Sequence, residues 1–173
     1  DVLVMQLESP LETVRAAATI AAAHHVPVVL NPAPAQPLDA QLLRMITVLT
    51  PNESEAELLT GLRVADATTA SQAAERLRAT GVGQVIVTLG ARGALVSAAE
   101  FTGHVPALAV KPVDTTAAGD VFNGALAVAM SEGKSLEQSV RFASAAAALS
   151  VTRLGAQPSA PRRAEIDAML VSG

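Results

Sequence analysis

The sequence predicts an α/β fold: a mostly parallel sheet, then an antiparallel hairpin, then a run of helices. Three observations predict it. Short apolar runs rich in Val, Ile and Leu recur at Val2–Leu7, Pro27–Leu30, Ile46–Thr50 and Gln84–Leu89. Between them lie stretches with helical spacing, stopped by Gly61 and Gly81. After Pro112 the pattern is helical only. Strands alternating with helices imply a doubly wound parallel layer, in which ligands sit outside the carboxyl ends of the strands.

Each element has a local reason. Ser9-Pro10-Leu11-Glu12 reads as a capping box with Pro at the first helical position, and Leu11, Val14, Ala18 and Ala21 continue one face up to His24 and His25. The Pro-rich loop 31–37 follows the second strand, and Leu38–Met45 reads as a short helix. Asn52–Thr60 and Ala70–Ala79 are the next helices. Gly90-Ala-Arg-Gly93 is a tight turn, Ala94–Ala98 an antiparallel return, and Phe101–Val110 a weaker strand. Asp120–Ser131 is an Ala-rich helix, Ser135 caps the next one to about Ser150, and Arg162–Leu170 closes the chain. The opening strand begins without a Met, which predicts a segment of a longer protein.

Composition removes whole classes of function. Half of the 173 residues are hydrophobic and 16% are charged, enough apolar mass for a packed core. A net charge of −4, no Trp or Tyr and no basic run argue against a nucleic-acid partner. Without Cys there are no disulfides and no thiol chemistry. No apolar stretch reaches the roughly 18 residues of a membrane span. A cytoplasmic protein is the expectation.

Candidate site residues follow strands: Glu8, Asn52, Glu55, the turn from Thr88 to Gly93, and Asp120. Among them, Asp114-Thr-Thr-Ala-Ala-Gly-Asp120 carries the most chemistry. Small residues at 117–119 allow a sharp turn that leaves successive amides free at a helix start, a phosphate site reinforced by the helix dipole. A carboxylate at Asp120 is unfavourable for simple anion binding. It suits phosphoryl transfer, where it accepts the proton of an incoming hydroxyl. The plain alternative is an Asp stabilised by the dipole at a helix start.

The sequence resembles the ribokinase family of carbohydrate kinases, of the phosphofructokinase B type, and most closely its bacterial ribokinases. The resemblance rests on Gln6-Leu-Glu-Ser-Pro10, Asn31-Pro-Ala-Pro34, Thr50-Pro-Asn-Glu-Ser-Glu55, Thr88-Leu-Gly-Ala-Arg-Gly93, the Asp114–Asp120 signature and Val151-Thr-Arg-Leu-Gly-Ala-Gln-Pro-Ser159, in that order. It implies a three-layer α/β/α sandwich whose upstream part and β-sheet lid lie outside this chain. It implies ATP-dependent phosphorylation of D-ribose at O5, with Asp120 as base and an anion hole of the Ala117, Ala118 and Gly119 amides. Family members usually carry Gly where Ala117 stands. Another sugar or nucleoside kinase of the family, or a non-catalytic nucleotide-binding remnant, is the alternative.

The same resemblance assigns the remaining roles. ATP phosphate and ribose lie against Thr88, Leu89, Gly90, Ala91, Arg92 and Gly93, and the adenine near Ser144. Asn52 and Glu55 match the motif that holds magnesium and phosphate through water, a chemically adequate pair because Mg²⁺ keeps several waters. Glu8 touches sugar hydroxyls. Potassium is caged by Asp114, Thr116, Ser150, Arg153, Gly155 and Ser159. Family dimers use the lid, so a homodimer belongs to the full-length protein. Each motif also has a plainer reading: Asn52 and Glu55 as a capping box, the 90–93 glycines as hairpin residues, Asp114 as a loop cap, Glu8 as an acid before a helix.

Other signals fail. Gly133-Lys134-Ser135 ends like a Walker A loop, but Val128 replaces its first Gly and a helix precedes it. No dinucleotide-binding glycine pattern follows the first strand. His24 and His25 read as a solvated helix end, Ala143–Ala148 as close helix packing, and the sequon at Asn52 as idle.

Overall fold

A computed structural model describes residues 1–172. The chain forms two compact units, one of residues 1–89 and 95–104, the other of residues 90–94 and 105 onward.

The first unit carries the sheet. In chain order it contains β1 (Leu3–Met5), α1 (Leu11–Ala23), β2 (Val28–Leu30), α2 (Ala40–Leu43), β3 (Val48–Leu49), α3 (Glu53–Thr60), α4 (Ala67–Arg78) and β4 (Gln84–Thr88), followed by β5 (Ala94–Ser97) and β6 (Thr102–Val105). β1 to β4 are parallel, with Leu3 opposite Val28, Leu30 opposite Leu49 and Leu49 opposite Val85. The links from β4 to β5 and from β5 to β6 are too short for a crossover, so the predicted hairpin ends the sheet.

Strand order follows chain order from β1 to β6. The mostly parallel sheet with a closing hairpin is as predicted. Alternating strand and helix patterns reveal parallel pairing, but not the side on which each new strand adds. The carboxyl edge of β1–β4 remains the place where strand-end residues gather.

The core of this unit is aliphatic. Val28, Val29 and Leu30 are all buried, as are Val85, Ile86 and Val87, because strands covered on both faces lose the usual alternation. α1 contributes Val14, Ala18 and Ala21; α4 contributes Ala70, Ala73, Ala74 and Leu77. Capping is largely as predicted: Asn52 with Glu55 forms a full box and Gly61 adopts the left-handed stop. A box also opens α4, at Asp66 and Thr69. The box expected at Ser9 is absent. Pro10 takes the cap with ψ 136°, its carbonyl receives the Thr13 and Val14 amides, and Glu12 falls one position short of reaching back. Exposed His24 and His25 end α1 as expected.

The second unit is helical: α5 (Ala118–Ser131), α6 (Leu136–Ser150) and α7 (Arg163–Ser172). Ser135 and Gln138 form the box that starts α6. Ala129, Phe142, Ala145, Ala146 and Ile166 form one core cluster, Phe122, Leu126, Leu136 and Val140 are buried as well, and the Arg163 guanidinium lies 4.9 Å from the Phe142 ring centre. Ala143–Ala148 is thus helix packing, as the composition suggested. No helix among the described residues is long and apolar enough to cross a membrane.

Truncation at the centre of the sheet sets the scale of this packing. Leu30→Ala removes a side chain with no exposure and should lower the unfolding free energy by about 2–5 kcal/mol. Val4→Ala, at a site 41% exposed, should cost less than about 1 kcal/mol. Denaturant unfolding of both variants checks the contrast.

Candidate active site

Each unit contributes its own cluster of predicted residues. In the first, the strand ends converge. Asn52 forms a parallel bridge with Thr88, whose amide donates to the Pro51 carbonyl at 2.9 Å. Asn52 and Glu55 face one another: the Asn52 amide and side-chain Nδ2 both donate to the Glu55 carboxylate at 2.8 Å, and the Glu55 amide donates back at 2.9 Å. Glu55 is only 6% exposed, and burial raises its pKa above the ordinary carboxylate value against the lowering effect of the Asn52 amide. The capping reading is realised here. A buried carboxylate with neutral donors around it is the kind of group a nearby divalent cation stabilises, and Mg²⁺ held through water fits it.

Asn31 belongs to this cluster and was missed as an individual residue. Its Nδ2 donates to the Thr50 carbonyl at 3.1 Å and lies 3.5 Å from Glu55. Its place directly after β2, at the same edge as Asn52, was the available signal. Glu8 stands exposed after β1, on a segment pinned by the Leu7 amide to the Ala33 carbonyl at 2.8 Å. Leu89 is buried in the core, so its side chain serves packing.

In the second unit, Gly90–Arg92 forms a 3-10 turn with Gly90, Ala91 and Arg92 exposed. Gly93 is required by its surroundings: at φ +94° an added Cβ would lie 2.1 Å from the Val105 carbonyl oxygen. The hairpin reading of that glycine is therefore realised. Ser144 is half-buried on α6, among the buried Ala143, Ala145 and Ala146.

The mouth of α5 leaves two of the three predicted amides open. Ala117 is the N-cap in a left-handed conformation, φ 59° and ψ 16°, which turns the chain into the helix. Among the described residues, the amides of Ala117 and Gly119 donate to no protein acceptor, whereas the Ala118 amide makes a long 3.3 Å bond to the Thr115 carbonyl. Asp120 is exposed on the first turn and lines an apolar cavity of about 490 Å³ beside α5. Asn123, 4% exposed, holds the turn from below by donating to the Gly119 carbonyl at 2.9 Å. Its spacing of four residues from Gly119 on a helix was a legible signal that went unused.

Asp114 organises the approach to this turn. One carboxylate oxygen accepts from the Thr116 hydroxyl at 2.6 Å and the Thr116 amide at 2.9 Å, the other from the Gly155 amide at 2.9 Å. These bonds, the Thr116 hydroxyl foremost, hold its pKa down at about 2. The Val113 and Asp114 amides share the Val151 carbonyl, which joins this loop to the 150–159 segment. Of the predicted potassium cage, Asp114, Thr116 and Gly155 are thus directly linked. The buried Ser150 and Ser159 hydroxyls donate to the Ala147 and Ala156 carbonyls, and Arg153 pairs with Glu165. The loop-cap reading of Asp114 is present in full, and its carboxylate is already satisfied by protein donors.

Two outcomes follow from this geometry. Left-handed backbone disfavours Ala by about 1–2 kcal/mol, partly offset by the entropy glycine adds to the unfolded chain. Ala117→Gly should therefore raise stability by about 0.5–1 kcal/mol in a thermal melt. For Asp114, a folded pKa of about 2 against an ordinary 3.8 means its contribution is present above pH 4 and lost as the pH falls toward 2. Asp114→Asn should be less stable than the parent near neutrality, and melts recorded between pH 7 and 2 should converge at the acid end. Glu55, shifted upward, works with the opposite sign: its burial favours the fold most when it is protonated.

Comparison with known proteins places this geometry. The model of the pfkB family of carbohydrate kinases matches residues 2–163. The chain is 50% identical over 165 residues to the ribokinase of Haemophilus influenzae, covering 95% of this chain and 54% of that one. It superposes on the Thermotoga maritima ribokinase crystal structure with a TM-score of 0.89 and 46% identity, over 99% of this chain and 57% of that one. An Arabidopsis thaliana ribokinase complexed with ribose and ATP matches with a TM-score of 0.90 and 38% identity, over 98% of this chain and 55% of that one. The chain thus spans about half the length of these relatives, and its mixed α/β architecture is that of ribokinase structures. By sequence and by fold it belongs to the pfkB family of carbohydrate kinases.

Proposed function

We propose that this chain is the phosphoryl-transfer portion of a ribokinase, acting with ATP on the O5 hydroxyl of D-ribose. The observation that carries the reading is the mouth of α5, where the Ala117 and Gly119 amides lack protein acceptors and Asp120 stands exposed on the same turn. The ribose and ATP of the Arabidopsis relative supply the substrate pair.

The chemistry divides cleanly among these groups. The Asp120 carboxylate takes the proton from the sugar hydroxyl as the oxygen attacks the γ-phosphorus of ATP. The bond from that phosphorus to the bridging oxygen breaks, and its electrons leave with ADP. Charge spreading onto the phosphoryl oxygens is met by the Ala117 and Gly119 amides and the positive end of α5. Ala118 joins them by giving up its long bond to Thr115. Asn123 and Asp114 are positioning residues, holding the turn from the helix side and from the loop side.

The exposed turn at Gly90, Ala91 and Arg92 receives the nucleotide, together with the backbone of Thr88, Leu89 and Gly93, and Ser144 lies near the adenine. Asn52 and Glu55 would hold Mg²⁺ through water, and the ion would supply neutralisation of phosphate charge. The oxygens of Asp114, Thr116, Ser150, Arg153, Gly155 and Ser159 would hold potassium, which would add positive charge beside the loop that Asp114 already ties to Gly155. Glu8 contacts the sugar.

Asp120→Asn separates this reading from its rivals. In the protein carrying this chain, ribose-dependent ADP release should fall by about 10²–10⁴-fold while ATP affinity changes less than about twofold. A variant that keeps the parent's turnover overturns the base assignment. Parent protein that binds ATP without turning it over, whatever sugar or nucleoside is offered, points to a nucleotide-binding remnant. Turnover confined to a sugar other than ribose reassigns the substrate within the family.

A further inference from the structure

We propose that Asn123 governs the rate of phosphoryl transfer and not the binding of either substrate. Its side-chain amide fixes the peptide plane from which Asp120 and the Gly119 amide take their directions. Asn123 is thus a positioning residue whose loss is read in kcat. The inference rests on the kinase reading above and deepens it. Three observations lead to it.

The first is an amide where the helix has no local use for one. α5 buries Phe122, Asn123, Leu126 and Ala129, so Asn123 is the one polar member of an apolar face. Asn is among the poorer helix formers, and burying its amide is costly unless it is hydrogen-bonded. An exposure of 4% leaves almost no surface for a sugar or nucleotide to touch. Its use is therefore sought inside the helix.

The second is the acceptor. Asn123 Nδ2 donates to the Gly119 carbonyl at 2.9 Å. In an α-helix that carbonyl already serves the main-chain amide four residues on, so the side chain adds a second donor to an oxygen that is satisfied without it. The Gly119 carbonyl and the Asp120 nitrogen belong to one planar peptide unit. A second bond on that oxygen resists rotation of the plane, and the Asp120 Cα turns with the plane.

The third is how little else restrains Gly119. A Cβ built on it would meet nothing within 4 Å, and glycine places few limits of its own on backbone rotation. Its amide donates to no acceptor among the described residues. Upstream, the Asp114 carboxylate reaches only as far as Thr116 in this loop. The Asn123 bond acts across that gap, at the residue just before the proposed base. ATP affinity draws on many groups, whereas alignment of Asp120 with the hydroxyl matters only as the new bond forms.

Steady-state kinetics of the protein carrying this chain test the proposal, with backbone relaxation dispersion at Gly119 and Asp120 as a readout that needs no turnover. Asn123→Ala and Asn123→Leu lose the donor, and each should lower kcat by about 10–100-fold while KM for ATP changes less than about twofold. Millisecond exchange at Gly119 and Asp120 should appear in both. A serine hydroxyl also bonds the carbonyl four residues back, so Asn123→Ser should keep kcat within about fivefold of the parent. Val140→Ala, at a buried site on α6, should lower Tm and leave kcat unchanged. Folded Asn123→Ala with the parent's kcat overturns the proposal. So does a fall in kcat that Val140→Ala reproduces, or one matched by a rise in KM for ATP with no exchange at the turn. Asn123→Ser as slow as Asn123→Ala assigns the effect to volume, and overturns it too. Parent protein that turns over no sugar or nucleoside, with exchange at the turn in both donorless variants, sustains the restraint and rejects the kinase reading alone. Absence of both turnover and exchange rejects the two together.

Discussion

The helix mouth at 117–120 depends on a backbone that is held where its residue type does not favour it. An α-helix always begins with amides that lack intrahelical acceptors, and most helices satisfy them with a capping side chain. α3, α4 and α6 do so with Asn52, Asp66 and Ser135. α5 begins with Ala117, which has no side chain to offer, in the left-handed region. The surroundings hold it there: Asp114 ties Thr116 to Gly155 before the turn, and Asn123 grips the Gly119 carbonyl after it. Donors fixed in this way without a protein acceptor are the arrangement that an anion site requires.

The carboxylates show how local surroundings assign roles to one side-chain type. Asp114 accepts two hydrogen bonds from Thr116 in its own loop and one from the distant Gly155, and is held in its charged form down to about pH 2. It is a structural anchor whose protonation state does not change in neutral solution. Glu55 is buried and hydrogen-bonded to amide groups, so its charge is disfavoured until a cation offsets the lost hydration. Asp120 is exposed, and exposure is what a base needs to meet an incoming hydroxyl. One group is tied by three hydrogen bonds, one is buried, and one lies at the surface.

Much of this was legible from residues alone. Helix starts at Asn52 and Ser135 and the stop at Gly61 follow from side-chain chemistry within a few residues, and the structure has each of them. Long-range facts were not legible. Ser9 reads as a cap because the motif fits, but the position of Pro10 in the helix frame decides the matter, and that depends on where the β1 segment delivers the chain. The direction in which the sheet grows has no local signature, so strand order was not readable from the sequence. At the site, the Asp114–Asp120 run was visible as a motif. The bond from Asp114 to Gly155 spans 41 residues, and spacing along the chain does not announce it. Asn31 and Asn123 escaped notice for another reason: a single Asn is ambiguous until its acceptors are known.

The two cores differ in composition. The first unit buries Leu, Ile and Val side chains in continuous rows, each contributing about 1.5–3 kcal/mol of transfer free energy. The second sets Phe122, Leu126, Leu136, Val140, Phe142 and Ile166 among Ala129, Ala143, Ala145 and Ala146. Alanine favours helix formation and lets helices approach closely, but it removes little apolar surface from water. Tertiary packing in this unit therefore falls on its large side chains, and two of them, Phe122 and Leu126, lie on the helix whose first turn carries Asp120. Burial of those two side chains fixes α5 in place, and with it the 117–120 turn.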